Sequence, residues 1–85
     1  MRPVFLLIKC ELGKAYLVAN EIADMVEETS EVYSVSGRYD LLAKFNLDDD
    51  TDIGRFVCEK VQVLPHIADT FTMISFKVFT SYAGA

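Results

Sequence analysis

The sequence predicts an α+β domain in which a four-stranded antiparallel sheet carries two helices on one face. Four segments show strand-like runs or alternation of apolar residues, and two segments show apolar residues at helical spacing. Their order is strand, helix, strand, strand, helix, strand, and right-handed crossovers then place both helices on one side of the sheet. A chain of 85 residues encloses one core, so we expect residues 1–85 to form a single domain.

The first third of the chain carries one strand and one helix. Val4–Leu12 is apolar at first and then alternates with the charged Lys9 and Glu11, which is typical of a central strand. Gly13 is expected to end this strand. Apolar residues then recur at spacings of three and four, which predicts an amphipathic helix. Its apolar stripe consists of Ala15, Val18, Ala19, Ile22, Ala23 and Val26.

Two further strands are predicted over Glu31–Tyr39 and Asp40–Leu47. Their meeting point at Gly37-Arg38 predicts a tight hairpin in which the glycine takes a positive φ angle. The acidic run 48–52 follows, and counted from Asp48 it has Ile53 at the sixth position, where a calcium loop needs a glycine. We expect this run to cap the next helix, because carboxylates stabilise helix N-termini.

The C-terminal half completes the pattern with a helix and a strand. The second helix carries an apolar stripe from Ile53 to Leu64 and is predicted to end at Pro65. Ala68–Val78 alternates apolar and polar residues, which predicts the last strand, and Thr80–Ala85 is expected to be a loose tail. The six elements together predict a ferredoxin-like βαββαβ fold.

The face of the predicted sheet that lies away from the helices should be apolar. If Val4 and Leu6 point toward the helices, strand alternation turns Phe5 and Leu7 away from them. In the last strand both the odd-numbered and the even-numbered residues include apolar ones. Apolar side chains therefore stay uncovered whichever set faces the helices, and such a patch marks an interaction surface. We therefore expect a homo-oligomer.

Composition and charge exclude several functional classes. Eight basic against thirteen acidic residues give a net charge of −5, which disfavours unaided binding of nucleic acid. No apolar run approaches the roughly 18 residues of a membrane helix, and we expect a cytoplasmic protein. Cys10 and Cys58 form no CxxC pair and His66 is the only histidine, which predicts two buried thiols and neither a metal nor another cofactor. His66 is expected to be a turn residue rather than a catalytic base.

The most chemically specific segment is the predicted hairpin from Ser34 to Asp40. It places hydroxyl groups, turn amides, a phenol and a carboxylate within seven residues, which suits a small zwitterion. Backbone N–H groups would receive a carboxylate, and Asp40 or backbone carbonyls would receive an ammonium group. The alternative is an ordinary hairpin in which Gly37 supplies the turn and Tyr39 packs on a neighbour, and composition alone favours this alternative.

Several phrases of the sequence, taken together and in order, resemble one protein family. They are Ile8-Lys9-Cys10-Glu11 leading to Gly13, residues 32–42 with Gly-x-Tyr-Asp at 37–40, the Pro65 turn, and Thr70-Phe71-Thr72-Met73-Ile74. Over nearly the whole chain they are similar to the effector-binding domain, or RAM domain, of the Lrp/AsnC regulators of bacteria and archaea. The helix-turn-helix domain of those regulators has no counterpart in this sequence, so the resemblance is to stand-alone RAM proteins.

The resemblance implies dimers that pack sheet against sheet as a dimeric α/β sandwich of the dimeric α-β barrel type. It also implies rings of four or five dimers, with a small amino acid bound between dimers. Carried over by position, the ligand-binding residues would be Ser34, Ser36, Gly37, Tyr39 and Asp40, with Thr72, Met73 and Ile74 from the last strand. Arg38 occupies the variable position of the motif. The missing DNA-binding domain implies no direct contact with nucleic acid and action through mixed assembly with full-length Lrp/AsnC regulators.

Three functions remain open from the sequence. The first is an oligomeric amino-acid sensor that modulates transcription of amino-acid metabolism indirectly. The second is a small enzyme, since dimeric ferredoxin-like barrels include monooxygenases and isomerases. The chain has no tryptophan and its single histidine lies at a predicted turn, so we expect no enzyme. The third is a ring-forming scaffold whose hairpin pocket is vestigial.

Overall fold

The computed structural model describes residues 1–80, which form a four-stranded antiparallel sheet with two helices. The sheet order is β2-β3-β1-β4, so the predicted ferredoxin-like α+β fold is confirmed. The strands are β1 (Arg2–Cys10), β2 (Thr29–Ser34), β3 (Leu41–Leu47) and β4 (Ile67–Ile74). The helices are α1 (Ala15–Met25) and α2 (Ile53–Phe56), and α2 continues as a π-helical turn over Val57–Val61.

The core lies between the helices and the two central strands. In β1 and β3 every second residue is buried, as strand alternation requires when one face is covered by helices. The ring of Phe45 packs edge-on against Phe56, with ring centroids 5.1 Å apart and an interplanar angle of 68°. The fully buried side chains of the core are Val4, Leu6, Ile8, Val18, Ile22, Leu41, Ala43, Phe45 and Val61.

The connection between β2 and β3 is longer than the predicted tight hairpin. Residues 35–40 form a loop, and Asp40 makes two backbone hydrogen bonds before β3 begins at Leu41. Its N–H donates to the Ile8 carbonyl over 2.9 Å, and its carbonyl accepts from the Val35 N–H over 3.0 Å. Gly37 has the positive φ predicted for it, at 116°. The predicted strand boundaries at Tyr39 and Asp40 are therefore wrong.

The second helix is shorter than its apolar stripe predicts. It begins as expected at the acidic run, where an Asp52 carboxylate oxygen accepts the Arg55 N–H over 3.1 Å. After Phe56 the turn widens, and the Gln62 N–H donates to the Val57 carbonyl over 2.8 Å. Regular helix therefore ends well before Pro65. Within residues 1–80, no helix is long and apolar enough to cross a bilayer.

The first and last strands also end earlier than predicted. Leu12, expected at the end of β1, lies beyond it and is 95% exposed. β4 stops at Ile74 instead of Val78. The predicted loose tail falls almost entirely at 81–85, outside the described residues. His66 lies in the predicted turn with a φ of 72°, where its carbonyl accepts the Glu11 N–H over 2.9 Å.

The sheet face turned away from the helices is uncovered and apolar at its centre, and we call it the open face. Directly opposed residues of neighbouring strands share a face, so the register of the sheet defines its members. Its apolar residues are Phe5, Leu7, Tyr33, Leu42, Phe71 and Met73. The predicted orientation of Phe5 and Leu7 is confirmed. Phe71 is 52% exposed and Tyr33 is 48% exposed, so large aromatic surfaces meet solvent in the single chain.

An ion pair between Glu28 and Lys60 ties the turn before β2 to the π-helical turn, with 2.8 Å between Nζ and Oε2. The hydrogen bond from Lys60 is the main reason that the pKa of the Glu28 carboxyl lies below its ordinary value. Because this pKa is lowered in the folded state, the pair stabilises the fold at pH values above the ordinary glutamate pKa, about 4.3. That stability is lost as the pH falls through the lowered value.

We therefore expect the free energy of unfolding of Glu28→Gln to depend less on pH than that of the unsubstituted chain between about pH 5 and pH 3. Urea denaturation at a series of pH values measures this dependence. Glu59→Gln, which removes an acid from an exposed pair with Arg55, serves as the control. Parallel pH curves for Glu28→Gln and the unsubstituted chain would contradict the expectation.

Candidate functional site

The loop of residues 35–40 lies at the end of the sheet where β1 finishes, and we call it the donor loop. Within the described residues, the N–H groups of 36–39 make no hydrogen bond, whereas those of Val35 and Asp40 are both used. Ser36, Gly37 and Arg38 are exposed. Consecutive free N–H groups and an exposed arginine in one loop are groups that can receive a carboxylate.

Asp40 anchors the donor loop to β1. Its Oδ2 accepts the Cys10 N–H over 2.8 Å and lies 3.6 Å from Lys9 Nζ. The side chains of Lys9 and Asp40 are 42% and 32% exposed, so the pair is accessible from solvent. Oδ1 has no hydrogen-bond donor among the described residues, which leaves one carboxylate oxygen for a ligand.

Tyr39 reaches across the end of the sheet to β4. Its ring centroid lies 6.4 Å from that of Phe71, and the two rings are tilted by 37°. Phe71 is opposite Leu7 on the open face, so Tyr39 covers the edge of that face. Packing of Tyr39 on a neighbour agrees with the ordinary-hairpin alternative, but the hairpin sequence does not identify Phe71 as the residue it contacts.

The three residues predicted from the last strand do not lie together with the donor loop. Thr72 and Ile74 are opposite Leu6 and Val4, whose side chains point toward the helices, whereas Met73 is opposite Phe5 on the open face. At about 3.3 Å per residue, Ile74 lies roughly 13 Å along the sheet from the row that contains Ile8. Ser34 ends β2, which is separated from β4 by the two strands β3 and β1. One copy of the chain therefore does not enclose all the predicted ligand-binding residues in one pocket.

A polar cleft of about 300 Å³ flanks the same end of β1 on the β4 side. It forms where the register between β1 and β4 shifts after Lys9, which places one extra residue on β4. The Gln62 side-chain amide donates to Thr70 Oγ1 over 2.7 Å at this cleft. The cleft cannot be predicted from the sequence, because a register shift between two strands leaves no local pattern. The lining residues are Gln62, Ile67, Ala68, Asp69 and Thr70.

His66 and Glu11 form a polar pair beside the cleft, with Nδ1 and Oε1 2.9 Å apart. Within residues 1–80, no group of three or more histidine, cysteine or acidic side chains is arranged to hold a metal ion. The chemistry available at this end of the sheet is therefore hydrogen bonding and charge, supplied by the donor loop, Lys9 and Asp40.

The two cysteines differ in environment, which corrects the expectation that both are buried. Cys10 is buried at the end of β1, whereas Cys58 is exposed on the π-helical turn. Burial, and secondly the Asp40 carboxylate, raise the pKa of the Cys10 thiol. Since the thiolate is the reactive form, Cys10 should be inert in the folded chain.

We expect a disulfide thiol reagent to titrate one thiol rapidly in the native protein and both thiols after denaturation. Cys58→Ser should abolish the rapid reaction and leave the slow one. Measurement of the released chromophore with time separates the two thiols. Two rapidly reacting thiols in the native protein would contradict the burial of Cys10.

A ferredoxin-like domain with the donor loop at one end of its sheet has the features of a ligand-binding domain. Comparison with known families agrees, since the model of the Lrp/AsnC ligand binding domain matches residues 3–83. The chain therefore belongs to the Lrp/AsnC family. The relatives it matches are transcriptional regulators rather than enzymes.

Individual relatives support the same assignment. The HTH-type transcriptional regulator FL11 of Pyrococcus abyssi is 33% identical over 73 residues, covering 86% of this chain and 47% of FL11. The chain thus spans about half the length of such relatives. The hypothetical protein PHS023 from Pyrococcus horikoshii superposes with a TM-score of 0.79 at 33% identity, covering 96% of this chain and 98% of PHS023.

A further solved structure shares the fold alone. It is the complex of transcriptional regulator NMB0573 with L-Met from Neisseria meningitidis, which superposes with a TM-score of 0.75. The sequence identity is 16%, and the alignment covers 93% of this chain and 52% of that regulator.

Proposed function

We propose that the chain is a cytoplasmic, oligomeric sensor of a small amino acid that modulates transcription indirectly. The observation that carries the proposal is the donor loop, which combines unpaired N–H groups, the exposed Arg38 and the solvent-accessible Asp40 carboxylate. These groups complement the carboxylate and the ammonium group of an amino acid. The L-Met complex of NMB0573 supports this ligand class, because that regulator has the same fold.

The ligand site is proposed to form between copies of the chain. In one copy the donor loop is open to solvent, and Thr72, Met73 and Ile74 lie apart from it and on two faces of β4. Neighbouring copies would complete the pocket, with Ser34, Ser36, Gly37, Tyr39 and Asp40 supplied by one copy and residues of β4 by another. A ligand held between copies favours one assembly over others, which is the thermodynamic basis of a sensor.

The open face is proposed to be the dimer interface, with two sheets packed against each other. Burying its apolar side chains removes the surface that is unfavourable in water, at about 25 cal/mol for each Å². Dimers are proposed to assemble further into an octamer or a decamer. Mixed assembly with full-length Lrp/AsnC regulators would then transmit the ligand signal without direct contact between this chain and DNA.

Thermal unfolding and native mass measured with each of the twenty amino acids test the sensor. At a ligand concentration about 100 times the dissociation constant, binding adds about 2.7 kcal/mol of stability. For a domain of this size that corresponds to a rise in Tm of roughly 10 °C or more. We expect such a rise, together with a change in assembly mass, for one amino acid or one chemical group of them.

Arg38→Ala is expected to weaken the response of the Tm to the amino acid and to leave the fold intact, because the Arg38 side chain is exposed. Arg55→Ala, which removes an exposed arginine of α2, is the matched control and should respond as the unsubstituted chain does. If no amino acid changes either the Tm or the mass, the sensor proposal is wrong and the scaffold alternative is favoured.

A further inference from the structure

The segment after β4 carries the most concentrated apolar surface of the described chain. Residues 75–80, which we call the arm, have no regular secondary structure. Phe76 is 100% exposed, Val78 is 67% exposed and Phe79 is 83% exposed. Three large apolar side chains within four positions are unfavourable in water, so the arm needs a surface to pack on.

The chain's own sheet does not take up the arm, and Pro3 supplies the reason. Ile8 bonds toward β3 through its carbonyl, and Glu11 bonds toward β4 through its N–H. The backbone hydrogen-bonding groups of a strand point alternately to its two sides. The backbone groups of the odd-numbered residues of β1 therefore point toward β4, and Pro3 is one of these residues. The last paired residues of the two strands are Val4 and Ile74, so Pro3 comes next and has no N–H to donate. The ladder ends there.

The arm is continuous with the open face. β4 contributes Phe71 and Met73 to that face and runs directly into the arm. A phenylalanine side chain buries about 150–250 Å², so the four arm rings of two copies would add about 600–1,000 Å² to a shared interface. A specific interface buries about 1,200–2,000 Å² in total, of which the open faces would supply the remainder.

The charge of the chain disfavours a nucleic acid or an anionic membrane as the partner of the arm, and the continuity of the arm with the open face favours a second copy. The arm carries one cation, Lys77, whose Nζ lies 5.1 Å from the centroid of the Phe79 ring. The chain as a whole has a net charge of −5, which opposes binding to a nucleic acid or to an anionic membrane surface.

We infer that residues 75–80 are an exchanged arm, in which Phe76 and Phe79 of one copy pack on a second copy of the same chain. The inference rests on the proposed dimer and extends it, because the arm joins the copies beyond the edge of the open face. Each copy then holds its partner both through its sheet and through its arm.

The test is the dimer dissociation constant of the full chain with Phe76→Ser and Phe79→Ser combined, measured by sedimentation over a range of concentrations. We expect the constant to rise at least tenfold, with an unchanged far-ultraviolet circular dichroism spectrum. Leu12→Ser combined with Val63→Ser removes two exposed apolar side chains outside the arm and the open face. This control should keep the constant of the unsubstituted chain.

A second measurement distinguishes a partner from the chain itself. In a mixture of isotope-labelled and unlabelled copies, filtered nuclear Overhauser spectra should show contacts from the arm rings to the other copy. The inference of an exchanged arm would be wrong if the arm rings contact only their own copy, or if the doubly substituted chain keeps the dissociation constant of the unsubstituted chain. If the arm inference fails but Phe71→Ser still dissociates the dimer, the proposed sheet interface stands. If the unsubstituted chain is a monomer, both the sheet interface and the exchanged arm are wrong.

Discussion

Replacement of Phe45 with alanine is expected to lower the free energy of unfolding by about 3–5 kcal/mol. Phe45 is fully buried on β3 and packs edge-on against Phe56 of α2, so it joins the sheet to the helical layer. Its removal takes away the transfer free energy of the ring and leaves a cavity that neighbouring side chains fill only in part. It also removes an aromatic contact worth about 0.5–1.5 kcal/mol.

Urea denaturation followed by circular dichroism measures this loss. A loss of that size approaches the whole stability of an 85-residue domain, about 4–13 kcal/mol, so a milder variant is also needed. Phe45→Leu should cost roughly 1–2 kcal/mol and keep the fold. The control is Leu12→Ala, which changes a side chain that is 95% exposed and should cost less than about 0.5 kcal/mol. Equal stabilities of Phe45→Ala and the control would contradict the position of Phe45 in the core.

Replacement of Asp40 should separate the structural role of its side chain from ligand binding. Asp40→Ala removes the acceptor of the Cys10 N–H and is expected to cost about 1.5–3 kcal/mol, as for hydrogen bonds to charged groups. Asp40→Asn keeps an oxygen acceptor at the same place and should lose less than Asp40→Ala. It removes the negative charge, so the proposed attraction for an ammonium group should be lost while the fold remains.

Urea denaturation and the response of the Tm to the amino acid are measured on both variants. Asp50→Asn, which changes an exposed acid in the turn before α2, is the control and should match the unsubstituted chain in both measurements. Equal stabilities of Asp40→Ala and Asp40→Asn would show that the Cys10 hydrogen bond contributes little. A full ligand response of Asp40→Asn would show that Asp40 does not hold the ammonium group.

Asp40 also illustrates why the candidate site could be located from the sequence but not described. The Gly-x-Tyr-Asp pattern and the polar residues of the segment indicated it as the candidate, although composition alone favoured an ordinary hairpin. The hydrogen bond between Asp40 and Cys10 joins positions 30 residues apart, so no local pattern predicts it. The same holds for the contact between Tyr39 and Phe71 and for the cleft at the register shift.

The ends of the second helix and of the last strand also could not be predicted from the local sequence pattern. Apolar spacing indicated a helix to Leu64, but that spacing does not distinguish α-helical from π-helical turns, and regular helix ends at Phe56. Alternation continues to Val78, but β4 ends at Ile74 because its neighbour presents Pro3. The partner strand, and not the pattern of β4 itself, sets this boundary.

The order of the six elements, the faces buried by β1 and β3, and the positive φ of Gly37 follow from the amino-acid sequence, because each depends on periodicity or on residues adjacent in the chain. The exposure of Cys58, the anchoring of Asp40 and the separation of Thr72 and Ile74 from the donor loop become visible in the folded chain. They arise from contacts and register between segments that are distant in sequence, and such contacts leave no trace in local periodicity.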